Sequence, residues 1–286
     1  EQGGYAYANV TDNKRQPIAY NDICRYDRIN ITDGLVVTKS FDKFDLSSVT
    51  SYQLLIDDMK MDQDFTPSPF FTLNQKQNEH AFTEEIVLKT KNKNKLWNSK
   101  TGMYAFYKHN DTEAPVTFKR DGIETLIIAN ANKGIRTMFS EDELDIKENR
   151  FVISSDFELP STGVAVYHQS EFRCGRWNFT GGIRIDYEHD KMQYANEANL
   201  HYIFTLLMDD YKKLQTKLNG TAKMDFIEVL PKFAVQYNLN EHNNIYASFA
   251  KGYKAGGFNT QIFSDILQSR IMTEQYGVHI TDQDVT

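Results

Sequence analysis

The chain of 286 residues carries 32 basic and 39 acidic side chains, which gives a formal net charge of -7. This acidic balance argues against a nucleic-acid partner, because phosphate binding needs a basic surface. No apolar run approaches the roughly 20 residues of a transmembrane helix. In membrane-crossing strands, however, apolar and polar residues alternate, so the mean hydropathy of such a strand is low. A membrane β-barrel therefore remains compatible with the composition.

Alternation of apolar and polar residues predicts β-structure along most of the chain. In residues 183–188, Ile and Tyr alternate with Arg, Asp and Glu, so the two faces of that strand differ sharply. Charged residues on the second face indicate water or a polar lumen there, and not a dry core. The eight predicted strands cover residues 28–41, 44–62, 79–91, 96–109, 157–172, 177–188, 222–239 and 244–254.

The connections between these strands alternate in length. The short connections lie at 42–43, 92–95, 173–176 and 240–243, and the long ones at 63–78, 110–156 and 189–221, followed by a tail from 255. Transmembrane barrels show the same alternation of connection lengths, because their periplasmic turns are tight and their extracellular loops are long. A soluble β-sandwich usually has moderate loops at both ends. The pattern favours an all-β, antiparallel transmembrane β-barrel with long extracellular loops.

Two local features bear on this prediction. Trp97 and Trp177 each follow a short turn, which is typical of an aromatic girdle at the periplasmic membrane surface, although both could be core residues. Residues 200–218 carry apolar side chains at near-helical spacing. That stretch is compatible with a short amphipathic helix or with an extension of the strands.

Four segments in order also resemble a known family. They are HAFTEEIVLKTKNKNKLWNSKTGMYAFY at 80–107, STGVAVYHQSEF at 161–172, WNFTGGIRIDYE at 177–188 and LPKFAVQYNLNEHNNIYASFAKGYKAGGFN at 230–259. Together they resemble the barrel of TonB-dependent outer-membrane receptors, especially the ferric-siderophore branch. The resemblance implies a Gram-negative outer-membrane protein that binds and imports a ferric siderophore or a similar scarce nutrient, energised by TonB.

The same resemblance implies that the chain is a piece of a barrel. Family members have a plug domain, a TonB box and a 22-stranded barrel, whereas the given sequence has room for about eight strands. We therefore expect residues 1–286 to form a partial barrel domain, an arc without a plug domain. Residues 1–4 lack the basic and apolar stretches of a signal peptide, which fits a mature protein or an internal fragment. The missing plug, TonB and outer-membrane lipid are the expected partners, besides the siderophore ligand.

Candidate binding residues come from two places. Lys251, Tyr253 and Lys254 end the last strand on the predicted extracellular side, where a cationic, aromatic rim would suit an anionic ferric chelate. The alternative is a strand-end motif that only shapes a loop. A second group, on the polar face of one strand, is expected to face the lumen or the plug, or else to form a self-paired ion cluster: Arg184, Asp186 and Glu188.

Catalysis and metal binding find little support in the sequence. No nucleophile, zinc or phosphate-binding motif occurs, so we expect no enzyme activity, no catalytic residue, no metal and no cofactor. One acidic run could offer oxygen ligands to calcium, but a solvated loop is the preferred interpretation: Asp57, Asp58, Asp62 and Asp64.

Two rival functions remain at this stage. One is a passive porin or an enzyme-type barrel, which an inward constricting loop or a catalytic pair on the rim would favour. The other is a soluble β-rich binding or adhesion domain, which a dry two-sheet core would favour.

The cysteines bear on strand orientation. Cys24 and Cys174 are predicted to lie at opposite ends of the strands, as two free thiols, too far apart for a disulfide.

Overall fold

The computed structural model describes residues 21–62, 64, 66–91, 96–138 and 142–258. The predicted turn at 92–95, residues 1–4 and the tail beyond 258 lie outside these residues. Within them the chain forms an antiparallel sheet of long strands joined mostly in sequence order. Its strands are β1 (Arg25–Ser40), β2 (Phe44–Asp62), β3 (Phe71–Thr90), β4 (Trp97–Glu113), β5 (Val116–Lys119), β6 (Leu144–Ile146), β7 (Arg150–Cys174), β8 (Trp177–Phe204), β9 (Lys212–Asn238) and β10 (Asn244–Ala250).

Eight of these strands follow one another across the sheet in the order β1-β2-β3-β4-β7-β8-β9-β10. All eight correspond to strands predicted from the sequence. The two short strands prolong their neighbours: β5 continues β4 beyond Pro115 and pairs with β3 and β7, while β6 pairs with β8 beyond the start of β7. The fold is therefore the antiparallel, barrel-like sheet that the alternation indicates.

The two faces of the sheet differ in chemistry. The outward face carries exposed apolar side chains at every second position, such as Ile183 and Ile185 on β8 and Ile227 and Val229 on β9. Trp97 and Trp177 lie on this face at the turn ends, with 43% and 45% of their surface exposed. They are not core residues, so the girdle prediction is the one that fits the structure.

Most strands are longer than predicted, and the long loops are correspondingly shorter. The last strand is the exception, because β10 ends at Ala250 and not at the predicted residue 254, so Lys251, Tyr253 and Lys254 lie beyond it. The predicted loop at 189–221 is wrong, because β8 continues to Phe204 and β9 begins at Lys212. The predicted loop at 63–78 is also wrong from Phe71 onward. Leu200 and Leu214 point to the inner face and are 1% and 2% exposed. Burial of an inner apolar column thus extends the strands, and the helical alternative for 200–218 fails.

The connection between β5 and β6 folds inward and covers these buried apolar side chains of the inner face. It contains α1 (Arg120–Gly122), a π-helical segment (Ile123–Ile128) and α2 (Ala129–Met138), together called the inward helix. One apolar cluster joins this helix to the strand extensions, with Ile123, Ile127, Ile135, Phe151, Leu200 and Phe204 among its buried members. The predicted loop at 110–156 is therefore a folded element with its own core.

Two polar contacts join the inward helix and the segment that follows it to the strands. The Asn132 side chain donates to the Leu144 carbonyl at 3.2 Å and accepts from the Leu144 N–H at 2.7 Å, so it pairs with β6 as a strand would. Beyond β6, the Glu148 carboxylate accepts from the His201 backbone N–H at 2.9 Å and lies 2.6 Å from His201 Nδ1. Burial raises the pKa of the Glu148 carboxyl, but the hydrogen bonds from His201 outweigh burial and hold that pKa below its ordinary value.

Close glycine–aromatic pairs shape the inner face. Gly102 of β4 lies opposite Tyr167 of β7, and a Cβ at Gly102 would come within 2.3 Å of the Tyr167 ring. Gly163 of β7 and Phe106 of β4 repeat the arrangement four residues along the same strands, with glycine and ring exchanged between the strands. In each pair an aromatic ring lies across the strand in the space that a side chain would fill.

We expect Gly102→Val to destabilise the complete protein by about 2 kcal/mol, because the Tyr167 ring must move. The measurement is the temperature at which the detergent-solubilised protein unfolds. Gly181→Val is the matched control, because Gly181 is exposed on the neighbouring strand β8 and a Cβ added there would have no atom within 4 Å. Equal shifts for the two variants would contradict this role of Gly102.

We expect the contact between Glu148 and His201 to weaken in acid. A depressed pKa in the folded state stabilises the protein above the ordinary carboxyl pKa, and that stabilisation is lost as the pH falls through the folded-state value. Hydrogen exchange of β6, corrected for the intrinsic rate, should rise as the pH falls from 6 to 3. Glu148→Gln should exchange fast at both pH values, and an unchanged pH response in that variant would rule out Glu148 as the titrating group.

Candidate functional site

The inner face of β4, β7 and β8 carries a cationic and aromatic wall centred on Arg184. The guanidinium lies 5.7 Å from the Tyr104 ring centre and 5.8 Å from that of Tyr167. It also forms an ion pair with Asp186 at 2.7 Å. Stacking and charge pairing together hold the guanidinium against the wall, where a partner can meet its remaining exposed surface.

Tyr167 ties this wall to the neighbouring strands. Its hydroxyl donates to Glu85 of β3 at 2.6 Å, and the Lys100 ammonium lies 5.4 Å from its ring centre. The Tyr167 ring lies over Gly102, in the space that a larger side chain at residue 102 would occupy. Three strands thus fix the position of one phenol ring and, through it, that of Arg184.

The chain leaves the sheet after β10 because of Pro231. The Lys251 N–H donates to the Pro231 carbonyl at 3.0 Å, but proline has no N–H with which to return the second bond of an antiparallel pair. Residues 251–258, called the inner strap, then run over the inner face. The Tyr253 hydroxyl donates to Glu188 at 3.3 Å, and the Lys251 ammonium pairs with Glu228 at 2.7 Å.

A cavity of about 270 Å³ lies between the inner strap and the wall. Its lining includes Tyr104, Phe106, Arg184, Asp186, Glu188, Leu230 and Tyr253. The cavity joins two groups that the sequence treats separately, because Tyr253 meets the strand that carries Arg184, Asp186 and Glu188. It presents one guanidinium, two carboxylates and several aromatic rings.

The remaining predicted rim residues have different surroundings. Lys251 is held by Glu228 beside the cavity and does not line it. Lys254 is exposed and has no hydrogen bond or ion pair within the part of the chain that the structure describes.

Sequence reasoning missed the aromatic half of the site, namely Tyr104, Phe106 and Tyr167. Strand register places Tyr167 opposite Gly102 and Phe106 opposite Gly163, and it brings Tyr104 near Arg184, so alternation along single strands gives no sign of these rings.

The acidic run that could suit calcium is engaged by protein groups. Asp57 forms an ion pair with Arg28, and Asp58 forms one with Arg25. The Asp62 carboxylate accepts hydrogen bonds from the backbone N–H groups of Asn21 and Asp22. The Asp64 carboxylate accepts one from the backbone N–H of Thr66, two residues further along the chain. Among the described residues no group of three His, Cys, Asp or Glu side chains is placed to hold a metal ion.

The two cysteines are both exposed and free, as predicted. Cys24 precedes β1, and the Asp62 N–H donates to its Sγ at 3.4 Å near the far end of β2. Cys174 lies beside the tight turn formed by Gly175, whose φ of 58° favours glycine. The two thiols therefore lie at opposite ends of the strands.

An apolar outward face, a charged and aromatic inner wall and alternating turns are the features of an outer-membrane β-barrel. No helix in the described ranges is long and apolar enough to cross a membrane. The family model "TonB dependent receptor-like, beta-barrel" matches residues 2–282, and the chain belongs to this family. Members of this family are outer-membrane receptors and transporters, not enzymes, so the enzyme-type and soluble alternatives are set aside.

Two solved structures illustrate the likeness. The ferric yersiniabactin uptake receptor FyuA from Yersinia pestis aligns with 82% of this chain at 16% identity and a TM-score of 0.54. The siderophore receptor PiuA from Acinetobacter baumannii aligns with 79% at 13% identity and a TM-score of 0.49. The chain spans 30% and 32% of their lengths, respectively. Among curated proteins none matches this sequence.

The inward helix does not restore the passive-porin alternative. A constriction of that type narrows the pore within the membrane-spanning part of the barrel. Here the helix packs on Phe151, Leu200 and Phe204, which lie more than 20 residues along their strands from the turn at Gly175. Its contacts are therefore with the strand extensions, beyond the apolar band.

We expect Arg184→Met to destabilise the complete receptor by about 2 kcal/mol, because the buried Asp186 carboxylate loses its partner. The double variant Arg184→Met with Asp186→Asn should recover more than half of that loss, since no charge is then left unpaired. Thermal unfolding of both variants in detergent measures the difference. A double variant as unstable as the single one would show that the ion pair is not the cause, and Arg176→Met in the exposed turn is the control.

Proposed function

We propose that the complete protein is an outer-membrane receptor of a Gram-negative bacterium that binds a ferric siderophore or a related scarce nutrient and imports it with energy from TonB. Family membership supports the receptor role, and the structural likeness to FyuA, a ferric yersiniabactin uptake receptor, motivates the choice of cargo. The single observation that carries the proposal from this chain is the cavity between Arg184 and the inner strap.

The chemistry of that cavity suits a chelate with aromatic rings and negative charge. Arg184 supplies a cation stacked between two phenol rings, and Tyr253 adds a ring from the opposite side. Catecholate and phenolate groups offer both a π-face and a charge to such a surface. The two carboxylates in the lining are already engaged, Asp186 by Arg184 and Glu188 by the Tyr253 hydroxyl.

Lys251, Tyr253 and Lys254 are proposed as ligand contacts on the inner strap. Lys254 is exposed, so it can meet an anion without breaking a contact. Lys251 and Tyr253 would have to exchange Glu228 and Glu188 for the ligand. Binding would thus favour a rearranged strap, which gives the barrel a way to respond to its cargo.

Arg184, Asp186 and Glu188 are proposed to face the plug as well as the ligand. The arrangement implies a plug seated below the cavity, against the inner wall, with ligand binding above it. Displacement of that plug by TonB would then open the lumen to the cargo. The plug, TonB and the surrounding outer-membrane lipid remain the proposed partners, and residues 1–286 are proposed to be part of the barrel domain.

The test is iron-limited growth of a strain that carries or lacks the complete gene, on a panel of purified ferric siderophores. We expect one chelate to restore growth, and only in the strain that carries the gene. Rescue by cobalamin, haem or a glycan, with none by any chelate, would overturn the siderophore assignment and keep the receptor. No rescue by any nutrient would overturn import itself.

We expect Lys254→Gln to weaken binding of the identified chelate roughly three- to tenfold, because one attractive charge at the rim is lost. Tyr253→Leu should weaken binding more than Tyr253→Phe, since only the former removes the stacking ring. Binding to purified receptor is measured by tryptophan fluorescence quenching. Lys43→Gln, in the exposed turn at the opposite end of the strands, is the control, and equal losses at both ends would refute the assignment of the rim.

A further inference from the structure

The phenol hydroxyl of Tyr167 reaches across a whole strand of the sheet. Tyr167 on β7 is the register partner of Gly102 on β4, yet its hydroxyl donates at 2.6 Å to Glu85 on β3, the strand beyond β4. A side chain at residue 102 would block this path, because a Cβ there would come within 2.3 Å of the phenol ring. Gly102 therefore permits a contact between two long strands that are not neighbours.

The Glu85 carboxylate is the anchor of this contact. It accepts the Tyr167 hydroxyl and forms no ion pair within the described ranges. A hydrogen bond to an ionised acceptor is stronger than one between neutral groups. The hydroxyl end of the ring is thus tied to β3 while its backbone belongs to β7, and the ring cannot tilt without breaking that bond.

The anchored ring in turn constrains Arg184, its register partner on β8. The guanidinium lies 5.8 Å from the Tyr167 ring centre, and its Nε–H donates to Asp186 at 2.8 Å. Glu188, two residues beyond Asp186 on the same strand face, also lines the cavity. Charge alone therefore does not decide which carboxylate the guanidinium faces, and contact with a fixed ring supplies the missing constraint.

Neither Glu85 nor Tyr167 lines the cavity. Both can therefore affect a ligand only through the position of Arg184. A guanidinium held against a ring presents its donors in a fixed plane, which suits a planar aromatic anion. A released guanidinium would still attract any anion, because attraction between charges does not depend on the shape of the ligand.

We propose that Glu85 is a positioning residue that determines the specificity of the cavity for planar aromatic chelates. Through the Tyr167 ring it holds Arg184 in the orientation that favours a catecholate over a non-aromatic carboxylate chelate. This role rests on the ferric-chelate function proposed above. It assigns part of the specificity to a residue on β3, three strands away from Arg184 in the sheet.

The experiment measures binding of ferric tris(catecholate) and of ferric citrate to the complete, purified receptor. Glu85→Leu and Tyr167→Phe each remove one side of the hydrogen bond and leave the ring over Gly102. Glu85→Gln keeps an acceptor and is the conservative variant. The matched control is Ser51→Ala with Thr83→Val, which removes a 2.7 Å hydrogen bond between β2 and the same strand β3.

We expect Glu85→Leu and Tyr167→Phe each to weaken catecholate binding about tenfold and to change citrate binding by no more than about twofold. Glu85→Gln and the control should bind both chelates like the wild type. The double variant Glu85→Leu with Tyr167→Phe should be no weaker than either single variant, because all three lose the same contact. Equal losses for the two chelates, an equal loss in the control, or additive losses in the double variant would overturn the proposal.

A second readout needs no chelate. In receptor that carries isotope-labelled arginine, the Nε–H signal of Arg184 in NMR spectra reports its contact with Asp186, and Arg184→Met assigns the signal by its loss. We expect the signal to shift and broaden in Glu85→Leu and Tyr167→Phe, but not in Glu85→Gln. An unchanged signal in the first two variants would overturn the positioning role. If the wild type binds neither chelate while the signal behaves as expected, the choice of cargo fails and the positioning role of Glu85 is supported.

Discussion

Backbone pairing between neighbouring strands is the constraint on which the rest of this structure depends. A strand in lipid has no water to satisfy its N–H and C=O groups, so each must bond to the next strand. The pairing fixes the register, and the register decides which side chains meet across the sheet. Where one bond cannot form, at Pro231, the ladder ends and the chain turns inward. The same constraint thus produces the wall and the inner strap.

The inner wall shows how register builds a charged and aromatic surface. Tyr167 and Phe106 lie over glycines, which allows large rings to lie flat on the sheet where two side chains would collide. Arg184 then lies against the Tyr167 and Tyr104 rings and keeps its charge beside Asp186. A rigid wall of this type can offer a cation and aromatic faces together at little entropic cost on binding. The inner strap forms the other side of the cavity and is held by two carboxylate contacts, Tyr253 with Glu188 and Lys251 with Glu228.

Much of the fold could be predicted from the sequence, because period-two alternation and turn residues are local signals. The eight long strands and their order follow from them, and the turn at Gly175 falls where those signals predict it. The far ends of the strands could not be predicted. There the polarity of the two faces is reversed, since Leu200 and Leu214 are buried under the inward helix while outward side chains such as Lys213 are polar. Arg184 and Asp186 were found because they are two residues apart, whereas Tyr104 requires knowledge of its partners across the sheet.

The height of the wall affects how long a captured molecule stays near the site. β8 has 28 residues, whereas a bilayer needs only about 9 to 11 residues of a tilted strand. More than half of this hairpin therefore projects beyond the lipid, and the cavity beside Tyr253 lies well below its tip. A molecule that dissociates from the cavity must diffuse along tens of ångströms of wall before it escapes, and rebinding during that passage raises its effective local concentration. Retention of scarce cargo would then depend on geometry as well as on affinity.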